Sequence, residues 1–131
     1  MGILGVTVLT SVTPTDLKLA GYRTDLCDDI LRTVMQRAQV AHATGCAGVI
    51  CSGLEARQIK DEFGKDFLAV TPGVRPARMA AEKEDQKRIS TPAQAIAEGA
   101  DFLVIGRPIR DAQDPRQAAA QIAAEIETVL Q

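Results

Sequence analysis

Four short apolar runs, each followed by a stretch with helical spacing, set the tightest limit on what this chain can fold into. The runs occupy residues 3–9, 48–51, 67–70 and 102–105. They lack the polar alternation of a half-wet strand, so each reads as a strand buried on both faces. After the first, residues 26–44 place Leu26, Ile30, Leu31, Val34, Ala38 and Ala41 on one helical face. Residues 54–63, 91–98 and 114–130 repeat the pattern, the last with Asp114 set to cap the helix and Pro115 at its first position. Strand then helix, four times over, requires an α/β fold of parallel strands joined by right-handed crossovers. Two architectures fit: an open doubly wound sheet, or one half of a (β/α)8 barrel. Periodicity does not separate them. A chain that starts directly on a strand, with its turn-rich sequence after the strands, favours the barrel half.

Composition narrows the function. A chain of 131 residues with 46% hydrophobic content has material for one core, so residues 1–131 are expected to form a single domain. The net charge is −2, and one Tyr, three Phe and no Trp are present. Nucleic-acid binding needs a basic surface or stacking rings, so no nucleic-acid partner is expected. A small anionic metabolite needs only a local Arg. Cys27, Cys46 and Cys51 are odd in number and follow no secretory segment, which argues against a disulfide framework and for a reducing, cytoplasmic setting. The opening apolar run is shorter than the ~20 residues of a membrane helix, so no membrane partner is expected either. His42 lies in a helix pattern without a spaced carboxylate, and two Cys with one His make no zinc quartet. No metal and no cofactor are expected.

The richest local chemistry is at the fourth run and its exit, DFLVIGRPI over residues 101–109. A strand ending at Gly106 lets backbone approach a ligand closely, and Arg107 brings a planar fork suited to phosphate oxygens. The bland alternative is a turn glycine beside an exposed Arg. The third run exits through Thr71, Pro72 and Gly73 to Arg75, so two guanidinium groups would converge if the two strands are neighbours. About twenty residues then separate Val70 from the helix near Thr91, far beyond the usual ~4–6 of such connections. Gln86 in that stretch could add an amide donor to the same anion or could be a solvated loop residue, and its mixed charges, among them Glu82, Lys83 and Asp85, read as a solvated surface. At the end of the first run, Thr10 and Ser11 offer two hydroxyls to a ring or sugar, or else close a Ser/Thr turn.

The ordered set TVLTS (7–11), GVICSGLEA (48–56), FLAVTPGVRP (67–76), DQKRISTPAQA (85–95) and DFLVIGRPI (101–109) closely resembles the bacterial orotidine 5'-phosphate decarboxylase family. The resemblance covers essentially the whole chain and only the C-terminal half of the family. It implies half of a (β/α)8 TIM barrel from a cytoplasmic enzyme of pyrimidine synthesis that converts orotidine 5'-phosphate to UMP and CO2 without a cofactor. It further implies that Thr10 contacts substrate, that Arg75 is the Arg of the TPG-x-R segment, that Gln86 grips phosphate and that Gly106 and Arg107 form the final phosphate clamp. The family's Asp-x-Lys-x-x-Asp network, which supplies the proton, belongs to the other half. The Lys between two acids in residues 61–66 lies at a helix end with the wrong spacing, so no catalytic residue is assigned here.

The chain is therefore expected to be the nucleotide-holding half of this decarboxylase, inactive alone. Two alternatives from other classes stay open: a noncatalytic phosphate-ligand binding α/β module, and a structural fragment with no competent site. Open sheet edges in a half barrel also predict a homo-oligomer, with two halves closing head to tail.

Overall fold

A computed structural model describes residues 1–76 and 89–130. The elements run β1 (Leu4–Val6), α1 (Pro14–Leu19), α2 (Thr24–Cys27), α3 (Ile30–Ala43), β2 (Gly48–Ile50), α4 (Ala56–Phe63), β3 (Leu68–Pro72), α5 (Pro92–Ala97), β4 (Phe102–Val104), α6 (Arg107–Arg110) and α7 (Pro115–Leu130). The four expected strands are present, with β1 much shorter than its apolar run. Its ladder still reaches Thr7, whose N–H donates to the Ile50 carbonyl at 3.1 Å and whose hydroxyl donates to the same oxygen at 2.8 Å.

Two helical expectations change. The long helix expected over residues 26–44 is divided into α2 and α3. Asp29 stops it by capping α3, accepting from the Arg32 N–H at 3.2 Å, while the Thr33 hydroxyl ties back to the Leu26 carbonyl at 2.7 Å. The short helix α1 was not foreseen. Thr13 and Asp16 form a reciprocal capping box around Pro14 at its first position. A second such box, Thr91 with Gln94, starts α5, and Asp114 caps α7 by accepting from the Gln117 N–H at 2.9 Å.

All three strand pairs are parallel, and the order is β1-β2-β3-β4. A doubly wound sheet must reverse its order at a switch point. Here each crossover steps the same way, so right-handed connections bring every helix to one face. The single core follows from this: Val49 and Ala69 of the sheet pack with Val34, Ala38 and Ala41 of α3, Ala56 and Ile59 of α4 and Ala95 of α5.

The other face is exposed at its two edge strands. The register aligns Val6, Ile50, Val70 and Phe102 across all four strands, pointing away from that core. Val6, Phe102 and Val104 are 56%, 58% and 53% exposed. Strands buried on both faces were expected: β3 meets this, with Ala69, Val70 and Thr71 all buried, whereas the edge strands β1 and β4 do not. The runs are apolar on both faces, but among the described residues the second face is exposed at its edges.

At the amino end of the sheet, Lys60 and Asp101 fasten α4 to the strands. Lys60 Nζ lies 2.5 Å from the Asp101 carboxylate and donates to the Phe67 carbonyl at 2.8 Å, and Asp101 accepts the Ala69 N–H at 2.7 Å. Asp101→Ala should lower unfolding stability by about 1–3 kcal/mol, the range for hydrogen bonds to a charged group. Urea denaturation measures the loss, and phosphate affinity, determined at the opposite end of the sheet, should not change.

Candidate functional site

The carboxyl ends of the strands gather the polar side chains singled out in the sequence. β3 ends at Pro72, which has no N–H to extend the ladder, and Gly73 follows at φ +74°, a conformation that favours glycine. This turn sends the chain through Val74 and Arg75 alongside Ser90. Val74 bridges Ser90 in parallel, and the Arg75 N–H donates to the Ser90 carbonyl at 3.0 Å. The long connection is thus pinned together at its base. Arg75 is only 5% exposed.

β4 ends nearby, and Gly106 precedes the single turn of α6. A side chain at Gly106 would meet nothing within 4 Å, so no internal crowding demands glycine there and the space beside it is open. Arg75, Gly106 and Arg107 line one cavity of about 300 Å³ together with Pro72, Pro108 and Arg110. The two arginines therefore line one cavity, as neighbouring strand ends allow. Thr10, 7% exposed, lines a second cavity of about 250 Å³ with Val8, Leu9, Ser11, Ile50 and Cys51. Pro72 belongs to both linings, so the cavities meet at the end of β3. Gln86 and the charged residues around it lie outside the described residues.

Three features escaped the sequence reading. Arg110 is a third guanidinium in the Arg107 cavity, readable in hindsight from GRPIR, where residues three apart share a helical face. Its Nε and Nη2 donate to Asp111 at 2.6 and 2.8 Å. That fork holds the Asp111 carboxyl below its ordinary range and pushes Arg110 above its own. Glu55 is a buried acid, 4% exposed, and its carboxylate accepts the Ser52 N–H at 2.7 Å. The Ser52, Thr71 and Ser90 hydroxyls are buried at this end of the sheet without hydrogen-bond partners among the described residues.

The side chains gathered at this end are of a kind that suits an anion. Among the described residues, three arginines and one carboxylate line or border the Arg107 cavity in a chain of net charge −2. Among the described residues no group of His, Cys, Asp and Glu is arranged to hold a metal, and no helix is long and apolar enough to cross a membrane. Cys27, Cys46 and Cys51 form no disulfide, with Cys46 half-buried and the other two in the interior. His42 lies on an exposed helix face against the rings of Phe63 and Phe67, both 5.2 Å away.

Residues 1–122 match the family model described as orotidine 5'-phosphate decarboxylase / HUMPS family. Among curated relatives, the orotidine 5'-phosphate decarboxylase of Desulfosudis oleivorans is 53% identical over 130 residues, covering 99% of this chain and 52% of that protein. The decarboxylase of Methylococcus capsulatus is 46% identical over the same length, with the same coverage. Among solved structures, the orotidine 5'-phosphate decarboxylase of Lactobacillus acidophilus superposes with a TM-score of 0.75 at 35% identity, covering 95% of this chain and 49% of that one. The chain spans about half the length of the curated relatives it matches.

Arg107→Ala should weaken binding of inorganic phosphate by about 10- to 100-fold, the equivalent of lost charge-assisted hydrogen bonds. Asp111→Asn should tighten it about two- to five-fold, because the carboxylate that offsets Arg110 is gone, and added salt should shrink that gain. Titration calorimetry reads both. Since Asp111 is held below the ordinary carboxylate range, it remains ionised through neutral pH and the comparison is made there.

Proposed function

The chain belongs to the orotidine 5'-phosphate decarboxylase / HUMPS family, and on that premise we propose that it is the nucleotide-holding half of an orotidine 5'-phosphate decarboxylase. The single observation that carries this reading is the cavity shared by Arg75, Gly106 and Arg107 next to the one lined by Thr10. Two guanidinium groups complement a phosphate dianion by paired N–H donors. The adjoining cavity, with hydroxyls at its polar end and Val8, Ile50 and Pro72 along its walls, suits a ring and its sugar. Orotidine 5'-phosphate, or the product UMP, would lie across the two with its phosphate toward Arg107 and Thr10 against the nucleoside. Gln86, in the connection whose ends Arg75 and Ser90 pin together, would complete the phosphate grip.

In this proposal the reaction releases CO2 from the pyrimidine ring and protonates the ring carbon left behind, with no cofactor. The groups of this chain hold the phosphate end. Binding energy gained on a remote, non-reacting group can be used to stabilise the transition state at the reacting carbon. The acid–base work is proposed to come from the Asp-x-Lys-x-x-Asp network of the complementary half, a pattern that this sequence lacks. A cytoplasmic homo-oligomer is part of the proposal, with thiols free of disulfides suiting a reducing compartment.

Calorimetry with UMP and with inorganic phosphate tests the nucleotide assignment. UMP should bind at least about tenfold tighter, since contacts in the Thr10 cavity add to the phosphate grip. Equal affinities would mean a bare anion site, and no binding of either would mean a structural fragment. A decarboxylation assay on the chain alone should show no turnover. Ordinary activity there would overturn the placing of the chemistry in the other half.

A further inference from the structure

Gly53 is buried just past the exit of β2. Its φ lies outside the left-handed region, so backbone conformation does not single out glycine there. Space does. A Cβ at Gly53 would overlap Ser90 Oγ and lie 2.9 Å from Ser90 Cβ and 3.1 Å from the Cβ of Ala95 in α5. Rotating the Ser90 hydroxyl aside would relieve the first overlap and leave the other two. Gly106 differs, since a Cβ there meets nothing within 4 Å.

We propose that Gly53 is a positioning residue for Arg75: by admitting Ser90 against the exit of β2, it sets where the Arg75 backbone stands. The functional consequence rests on the anion reading of the Arg75–Arg107 cavity given above, but the geometry does not.

Each side of this contact is fixed to its own part of the fold, so neither yields alone. The turn that holds Gly53 is closed by two bonds: the Ser52 N–H donates to the Glu55 carboxylate at 2.7 Å, and the Glu55 N–H donates to the Ser52 carbonyl at 3.1 Å. Glu55 leads directly into α4, whose Ala56 and Ile59 are core residues. The turn therefore has no room to back away. On the opposite side Val74 bridges Ser90, whose carbonyl accepts the Arg75 N–H at 3.0 Å, and Thr91, next in the chain, caps α5. A displaced Ser90 takes Arg75 with it, because a close-packed interior transmits strain. The Ser90 hydroxyl is buried without a hydrogen-bond partner among the described residues. Backbone and packing hold Ser90, and its side chain can be removed without breaking a hydrogen bond.

Residue-resolved amide exchange and phosphate calorimetry on the full chain test this. Gly53→Ala should speed exchange of the Arg75 amide about tenfold relative to the Val34 and Val49 amides of the core, and should weaken binding of inorganic phosphate about three- to tenfold. Ser90→Gly removes the atoms that the new methyl would strike. In that background Gly53→Ala should change neither quantity by more than about twofold. Asp101→Ala separates positioning from stability: it loosens the fold at the other end of the sheet and should leave phosphate binding and the ratio of Arg75 to core exchange as they are. The proposal is overturned if the Arg75 amide in Gly53→Ala gains no exchange over the core, if phosphate affinity is unchanged by that variant, or if the losses persist undiminished in the Ser90→Gly background. Exchange needs no ligand. A chain that bound no phosphate at all would sink the anion reading alone, and the Arg75 amide would still decide whether Gly53 positions it.

Discussion

The parallel, strictly sequential order of the four strands is the constraint from which the rest of the structure follows. Because each crossover advances by one strand in the same direction, the helices have one face of the sheet available to them. The core is confined to that face. Every strand also ends at the same end of the sheet, so loops far apart in sequence become neighbours. Arg75 and Arg107 are separated by a helix and a strand, and they line one cavity only because β3 and β4 are adjacent and parallel. Lys60 and Asp101 fix the opposite end, so fastening and ligand chemistry are divided between the two ends of the sheet.

The turn after β3 converts that topology into a site. Pro72 ends the ladder for want of an N–H, and Gly73 supplies the positive φ that turns the chain. The Ser90 carbonyl then catches the Arg75 N–H. This bond fixes the backbone that carries Arg75, so less backbone entropy would remain to be lost if an anion bound there. Arg110 works differently. It is held by Asp111 at the surface and contributes field more than fixed geometry.

The strand-helix alternation and the convergence of Arg75 with Arg107 were legible in the sequence because they rest on local signals: apolar runs, capping residues, and Gly or Pro at strand exits. The exposure of the edge strands was not legible. Val6, Phe102 and Val104 are as apolar as Val49 or Ala69, and nothing in a single strand says whether a second layer covers it. The break between α2 and α3 was missed because apolar spacing continues through Asp28 and Asp29, and only the cap at Asp29 marks the boundary. The α1 helix was missed for the opposite reason: its capping box at Thr13 and Asp16 is clear, but it is too short to show a period. Arg110 was overlooked because a salt bridge with its own neighbour disguises a cavity-lining charge as an ordinary surface pair. Gln86 stays an assignment by motif.

The partly exposed face and the proposed anion site are two consequences of one architecture. In an eight-stranded barrel the inward side chains are a packed core, and ligands are held by the loops above it. A four-stranded half keeps all of its loops but exposes part of that layer of side chains. The proposed phosphate grip, which would draw on β3, β4 and the turns leaving them, therefore lies within this chain. Interior packing is less complete, since Val6 and Phe102 at the ends of that layer are exposed among the described residues. The proposed anion site draws only on Arg75, Arg107 and Arg110 of this half, so it would not require closure. Any chemistry that needs a group from across the barrel would, and that requirement separates binding the phosphate from acting on what it is attached to.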